Sequence, residues 1–472
     1  MVTPPMVAQQ APREAWPDGP LLAYCADDFT GATDVMEAFS AAGVSTVLFL
    51  QPPGPAWVQR FAGTRCIGLA TTARCQSPAW MDQHLLEAFG RLQAFGAPIL
   101  QYKVCSTFDS SPAVGSIGRA IDIGTRLMPG AWSPMVVGAP RLRRYQAFGN
   151  LFAVVDGQGH RLDRHPTMAH HPVTPMDEAD LRRHLARQTA RHIELIDLVA
   201  LQAGQGAAQL AALTADHPPT GAEAPVVLLD VIDEATLAAA GALVWQQRGA
   251  GLFSASSSGL QDALAAHWRQ QGWLPARAAL PVAAPAPAIA VVSGSCSPVT
   301  GAQIAWARAN GFATDRLAID RVLDAAQREA EIGRAVQAAI DALASGRSPL
   351  VFSAEGPDDP AVRGFEASAA SAGLSRADAA DKVGRALAEV MRRLLDRQPA
   401  LRRFVVAGGD SSGAVAGALD IAALELLAGL APGAPLCRAA SALPARDGLE
   451  LVLKGGQMGR PAFFGQVLQG RA

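Results

Sequence analysis

The chain of 472 residues carries a formal charge of −2, with half of its residues hydrophobic and 17% charged. These totals exclude global disorder, offer no electrostatic basis for binding nucleic acid or an anionic membrane, and leave room for two domains. No run of about 18 apolar residues suggests a membrane span, and the six cysteines show neither CxxC nor zinc spacing, as expected for reduced thiols in a cytoplasmic protein.

Residues 1–20 mix prolines with polar residues and lack an apolar core, so they are expected to form a frayed tail, not a signal peptide or an anchor. Leu21–Cys25 then reads as a buried strand, and Asp27-Asp28-Phe29-Thr30-Gly31 as the turn that ends it. Val35, Phe39 and Ala42 follow at the spacing of one helix face, Gly43 closes that helix, and Val44–Leu50 is a second strand. The alternation continues. Arg65–Ala70 is a strand ending in Thr71–Arg74, and Pro78–Phe95 a helix. Ile99–Val104 is a strand leading into Lys103–Pro112, Gly115–Arg126 a helix, and Pro134–Gly138 a strand leading into Arg141–Arg144. Strands alternating with helices predict a largely parallel sheet.

Ligands of open α/β sheets gather at the carboxyl ends of the strands. Here those ends carry Asp27, Asp28 and Thr30; Arg74; Lys103 with Ser106 and Thr107; and Arg144. Together they suit a small, highly oxygenated, anionic ligand, with Arg offering a bidentate fork and Lys a point charge. Gly149–His171, which holds His160, His165, His170 and His171, reads as an irregular lid, since its spacing fits no zinc pattern. Asp177–Leu213 is expected to be helical with a break near Gly204–Gly206. Val226–Ile232 and Gly251–Ser254 are strands, and Ser256–Gly259 opens a helix towards Trp268. The Ala/Pro-rich stretch Pro275–Pro287 marks the boundary, giving a first domain of residues 21–275, a linker of 276–288 and a second domain of 289–472.

The second domain repeats the pattern. Ile289–Val292 leads into Ser293–Pro298 and a helix from Thr300 to Asn310, and Pro349–Phe352 into Ser353–Gly356. Phe404–Val406 leads into Ala407–Gly413 and a helix to about Leu427, and Leu451–Leu453 into Lys454–Gly459. Small residues before a helix let backbone N–H groups approach phosphate oxygens. The turn Gly408, Gly409, Asp410, Ser411 fits that use, as does Gly294–Ser297. Neither is a Walker A loop or GxGxxG. Ordinary tight turns explain either one alone; two of them plus Lys454–Gly459 on one sheet favour a nucleotide phosphate site. A cleft between an acid-binding domain and a phosphate-binding domain suits phosphoryl transfer, with Mg²⁺ bridging phosphates.

Taken together, ADDFTGATD, GGDSSG and KGGQMG resemble the four-carbon acid sugar kinase family over nearly the whole chain beyond residue 20. The resemblance implies two α/β domains with largely parallel sheets and an active site in the cleft between them. The N-terminal domain would bind a small acid sugar and the C-terminal domain ATP, with phosphorylation of a terminal hydroxyl. Substrates implied are 3-oxo-isoapionate or 3-oxo-tetronate, with threonate and erythronate also in the family. The family's motifs fall on Asp27–Gly31, on Thr72 and Arg74, on Gly294–Ser297 (implying ATP contact by Ser295 or Ser297), on Gly408–Ser412, and on Lys454–Gly459 (implying a phosphate contact at Gly456). One motif departs. Where many members carry Lys-Ile-Asp-Ser-Thr-Leu-Arg-Gly-Asn, this chain has Lys103-Val-Cys-Ser-Thr-Phe-Asp-Ser-Ser. Losing a guanidinium and gaining a carboxylate should alter which acid sugar fits.

Asp28 is expected to orient or deprotonate the attacking hydroxyl, the bland alternative being that Asp28 or Thr30 caps the helix. Arg74, Lys103 and Arg144 are expected to hold the substrate or else to be surface charges. Asp410 would place Mg²⁺ or cap its helix, and Lys454 would neutralise phosphate or be a solvated strand end. The rival class is a non-catalytic, two-lobed binder of small acids. A homodimer is compatible with all of these readings.

Overall fold

The computed structural model describes residues 15–155, 157–171, 173–216, 224–275 and 282–471; the side chains of Thr30, Asp216 and Asp410 lie outside the described set. Twelve strands form one continuous sheet. In spatial order they are Leu252–Ser256, Ile99–Lys103, Leu22–Ala26, Cys66–Ala70, Thr46–Phe49, Ile421–Ala431, Ala434–Ser441, Glu450–Lys454, Arg403–Ala407, Ala290–Ser293, Pro349–Phe352 and Ala313–Arg316. The first five run parallel to one another, and so do the last five. Most of these strands are buried along their whole length, as LAYCA, CIGLA and RFVVA require when helices cover both faces.

The two parallel halves are joined by an antiparallel hairpin, Ile421–Ala431 with Ala434–Ser441. It pairs with Thr46–Phe49 on one side and Glu450–Lys454 on the other. This differs from the sequence expectation, which continued a helix to Leu427. The helix instead spans Gly409–Ala418 and stops at Leu419 and Asp420, the latter at φ +52°. Ala and Leu dominate the hairpin and favour helix locally; pairing on both sides overrides that preference. One apolar core consequently runs through both halves, from Leu22 and Phe39 to Leu387 and Phe404.

Other differences are local. Ser133–Met135, Val226–Leu229 and Ile193–Ile196 form a separate three-stranded parallel sheet, so residues 177–213 are not one broken helix. Within the His-rich excursion, Asn150–Val155 and Gln158–Arg161 are antiparallel strands that extend a sheet begun by Arg144–Ala147, while His165, His170 and His171 lie beyond them. Residues 1–14 of the expected tail lie outside the described residues, but Trp16–Gly19 are docked. Trp16 packs edge-on to Trp268 and Trp273 at 5.3 and 5.2 Å, and Arg65 donates to the carbonyls of Pro17 and Gly19 at 2.6 and 2.8 Å. Of the expected linker, residues 276–281 lie outside the described set, while Ala283 and Ala286 donate backbone bonds to Gly470 and Leu468.

Candidate active site

The acceptor side is built on the strand Leu22–Ala26 and the helix Phe29–Ala41. Asp28 caps that helix, its Oδ1 accepting from Gly31 N at 2.8 Å. Capping does not exhaust the carboxylate. Oδ2 accepts from Arg74 Nη1 at 2.9 Å, while Arg74 Nε and Nη2 grip both oxygens of Asp27 at 3.0 and 2.8 Å. Lys103, from the neighbouring strand, is buried beside them: a Cβ on Gly31 would stand 2.4 Å from Asp28 Oδ1 and 2.9 Å from Lys103 Nζ. Only glycine lets these two groups close over the turn. Burial pushes the Asp28 carboxyl above the usual aspartate range; the Asp27 charge adds to this, and Arg74 and Lys103 oppose it.

Arg74 was expected to hold the substrate or to be a surface charge, and here it bonds both aspartates. Three of its five N–H donors are engaged by Asp27 and Asp28, so it orients the carboxylates and leaves two N–H groups, one on each Nη. Arg144 Nη1 donates to the carbonyls of Leu142 and Arg143. In the same turn as Arg144, Arg141 bonds Asp34 at 3.0 Å and Asp262 at 3.4 Å. Asp34 lies on the helix that Asp28 caps, and Arg141 and Lys103 hold its carboxyl below the usual range against the effect of burial. Three arginines crowd one turn, Arg141-Leu142-Arg143-Arg144, and sequence alone does not show which faces inward.

The divergent turn after Ile99–Lys103 is tightly organised. Thr107 donates its hydroxyl to Asp109 Oδ1 at 2.7 Å and lies 2.9 Å from Cys105 Sγ, while Ser106 stays half-buried. Phe108, fully buried, sits at φ +59°, a conformation that L-residues with bulky side chains seldom adopt. Ser110 locks this backbone by donating to Phe108 O at 2.9 Å, and it is itself held by Gln188 Nε2 at 2.9 Å and His184 Nε2 at 3.1 Å. The strained turn thereby fixes Asp109 in place.

The nucleotide side assembles three turns from three strand ends. A Cβ on Gly294 would stand 2.2 Å from Ser411 Oγ, and one on Gly456 would stand 2.7 Å from Ser295 Oγ and 2.8 Å from Ser297 Cβ. Ser297 caps the helix Pro298–Ala309. Gly408, at φ +126°, precedes the helix Gly409–Ala418 without a side-chain cap and donates its N–H to Lys454 O at 2.9 Å. The expected residues Ser295, Ser297, Gly408, Gly409, Ser411 and Gly456 are thus brought together; for Asp410 only the backbone is described. Lys454 is not solvated. It is 1% exposed, donates to Thr300 Oγ1 at 3.1 Å, and burial pushes its ammonium down to about 8. Two helix N-termini and a buried lysine around glycine-lined backbone make an anion site.

The two sides meet. The ring of Phe29, the residue after Asp28, lies where a Cβ on Gly413 would touch Cε2 at 3.6 Å. Glu37, on the same helix as Phe29, accepts from Gly433 N at the hairpin tip at 2.8 Å.

Comparison with known proteins matches residues 22–264 to a model of a sugar-binding N-terminal domain and residues 290–464 to a model of a nucleotide-binding C-terminal domain. The chain is 66% identical to a 3-oxo-isoapionate kinase of Paraburkholderia graminis, over 97% of this chain and 96% of that one. It is 33% identical to a 3-oxo-tetronate kinase of Cupriavidus necator, over 95% and 97% of the two chains. A crystal structure of a Salmonella typhimurium protein, described as a tRNA synthase, superposes with a TM-score of 0.75 at 26% identity, covering 94% of this chain and 97% of that one. No helix among the described residues is long and apolar enough to cross a membrane. With acceptor-side carboxylates and a phosphate cradle meeting through Phe29 and Gly413, and with both halves matched, the chain belongs to the two-domain family of ATP-dependent sugar-acid kinases.

Proposed function

We propose that the chain phosphorylates the terminal hydroxyl of a branched 3-oxo sugar acid, 3-oxo-isoapionate, with ATP and Mg²⁺. The observation that carries the substrate is its 66% identity over 97% of the chain to a kinase of that name, against 33% to a 3-oxo-tetronate kinase. The carboxylate Asp109 in the divergent turn agrees with a substrate richer in hydroxyl donors.

Asp28 is the group that takes the proton of the attacking hydroxyl. Its raised carboxyl brings it closer to the working pH of a general base than a solvated aspartate would be. Arg74 and Asp27 hold it in place, and Lys103 supplies the nearby positive charge. Thr30, Ser106 and Thr107 complete the acceptor wall, with Arg141 in place of Arg144 on the Asp34 side. Ser295, Ser297, Gly408–Ser411 and Gly456 cradle the phosphates.

Among the described residues no group of three or more His, Cys, Asp or Glu is placed to hold a bare metal ion. Mg²⁺ would arrive on the nucleotide, keeping several waters and needing only one or two carboxylates; Asp410 is the candidate. The division into residues 21–275 and 289–472, a cytoplasmic location and a homodimer belong to the same reading. The test is an ADP-release assay over 3-oxo-isoapionate, 3-oxo-tetronates, threonate and erythronate. The branched acid should give the highest kcat/KM, and a faster tetronate would overturn the assignment.

A further inference from the structure

Lys454 is the last residue of the strand Glu450–Lys454 and is 1% exposed. Buried ammonium groups are normally paired with a carboxylate, because an uncompensated charge in a low-dielectric interior is costly. Lys103, the other deeply buried lysine among the described residues, has Asp28 beside it. Lys454 forms no ion pair among the described residues; it donates to the Thr300 hydroxyl at 3.1 Å. Thr300 is itself fully buried and donates its single proton to Gly456 O at 2.9 Å, so it presents a lone pair to Nζ and couples the lysine to the phosphate turn. The turns that meet at Lys454 and Gly456 bring hydroxyls and backbone: Ser295 and Ser297 lie against Gly456, and Gly408 donates its N–H to Lys454 O. Asp410, whose side chain lies outside the described residues, is the acidic residue that the Gly408 turn contains.

We infer that Lys454 is the counter-charge of the bound polyphosphate, built in without an acidic partner among the described residues so that the nucleotide itself completes the ion pair. This rests on the kinase reading and adds to it a residue and a charge state. In the nucleotide-free protein burial holds the ammonium at about 8. Phosphate oxygens arriving at Nζ favour the charged form, so nucleotide binding above pH 8 takes up a proton. Thr300 is the positioning residue that aims Nζ.

The test is calorimetric titration of the full chain with ADP and with adenosine at pH 8.5, in buffers of differing ionisation enthalpy, together with thermal unfolding without nucleotide. Lys454→Met should weaken ADP binding by at least about 30-fold, leave adenosine affinity unchanged and abolish the proton uptake. It should also raise the nucleotide-free melting temperature, an outcome that a purely structural lysine would reverse. Thr300→Val, which keeps the charge, should weaken ADP binding by about fivefold and provides the test if the methionine variant does not fold. Loss of ADP affinity below about threefold in both variants, or a parallel loss of ADP and adenosine binding with a lowered melting temperature, would overturn the inference. Failure of the unmodified protein to bind any adenine nucleotide would instead sink the kinase reading itself.

Discussion

Phe29 and Gly413, 384 positions apart in the numbering, are neighbours across the cleft: a Cβ added to the glycine would stand 3.6 Å from the ring edge. Phe29 follows the acceptor carboxylate Asp28, and Gly413 lies one turn into the helix that opens at the phosphate cradle. At 3.6 Å an added methyl is ordinary van der Waals contact, so Gly413→Ala should turn over like the unmodified enzyme. Gly413→Leu should push the acceptor helix away and lower kcat by up to about 100-fold, with a much smaller change in melting temperature. Steady-state kinetics alongside thermal unfolding would separate the two effects.

The Asp28 carboxyl is raised chiefly by burial, with Asp27 adding to this and Arg74 and Lys103 opposing. The acid limb of the kcat/KM profile should therefore lie above the usual aspartate range, with activity rising as Asp28 loses its proton. Arg74→Gln removes a lowering influence and should move that limb to higher pH. An unmoved limb in this variant would detach the titration from Asp28.

Asp109 presents a carboxylate whose described side-chain partner is the Thr107 hydroxyl. Asp109→Asn should reduce kcat/KM for the branched acid by about tenfold or more, while unbranched tetronates change little. The ratio measured in one competitive assay is the readout.

Gly456 has no room for a side chain between Ser295 and Ser297. Gly456→Ala should raise the KM for ATP, and leave the dissociation constant of the sugar acid, measured without nucleotide, unchanged.

Lys454 also links stability to pH. Its folded value of about 8 lies below the usual 10.5, so between those limits the unfolded chain binds more protons than the folded one. Stability of the nucleotide-free protein is therefore reduced below about pH 8 and regained as pH rises towards 10.5. Chemical denaturation between pH 8 and 10 should show this rise in the unmodified protein and not in Lys454→Met.

Much of this arrangement was legible because the parallel strands announce themselves as short apolar runs ending in small or polar residues. Pro349–Phe352 matches its expected limits, and the turns at Asp27–Gly31, Gly294–Ser297, Gly408–Ser411 and Lys454–Gly459 all fall at strand ends. The joining hairpin was hidden because AALELLAGLA has the composition of a helix, although Pro432-Gly433 is a turn signal that could have divided it. Side-chain direction was the other limit. Nothing in the order Arg141-Leu142-Arg143-Arg144 distinguishes the arginine facing Asp34 from the one facing backbone carbonyls. Arg74 was expected at the same sheet edge as Asp28, yet its engagement by two aspartates depends on a contact across 46 and 47 positions. The burial of Lys454 likewise follows from three turns converging in space, which no single stretch of sequence displays.

The most direct measurement of the central claim is a rapid-quench single turnover of enzyme-bound ATP with 3-oxo-isoapionate, comparing the unmodified enzyme with Asp28→Asn. The expected result is a phosphoryl-transfer step slowed by about 10²–10⁴-fold, with the affinities for ATP and acid little changed. A transfer step in the asparagine variant as fast as in the unmodified enzyme would contradict the assignment of Asp28 and of the cleft built around it.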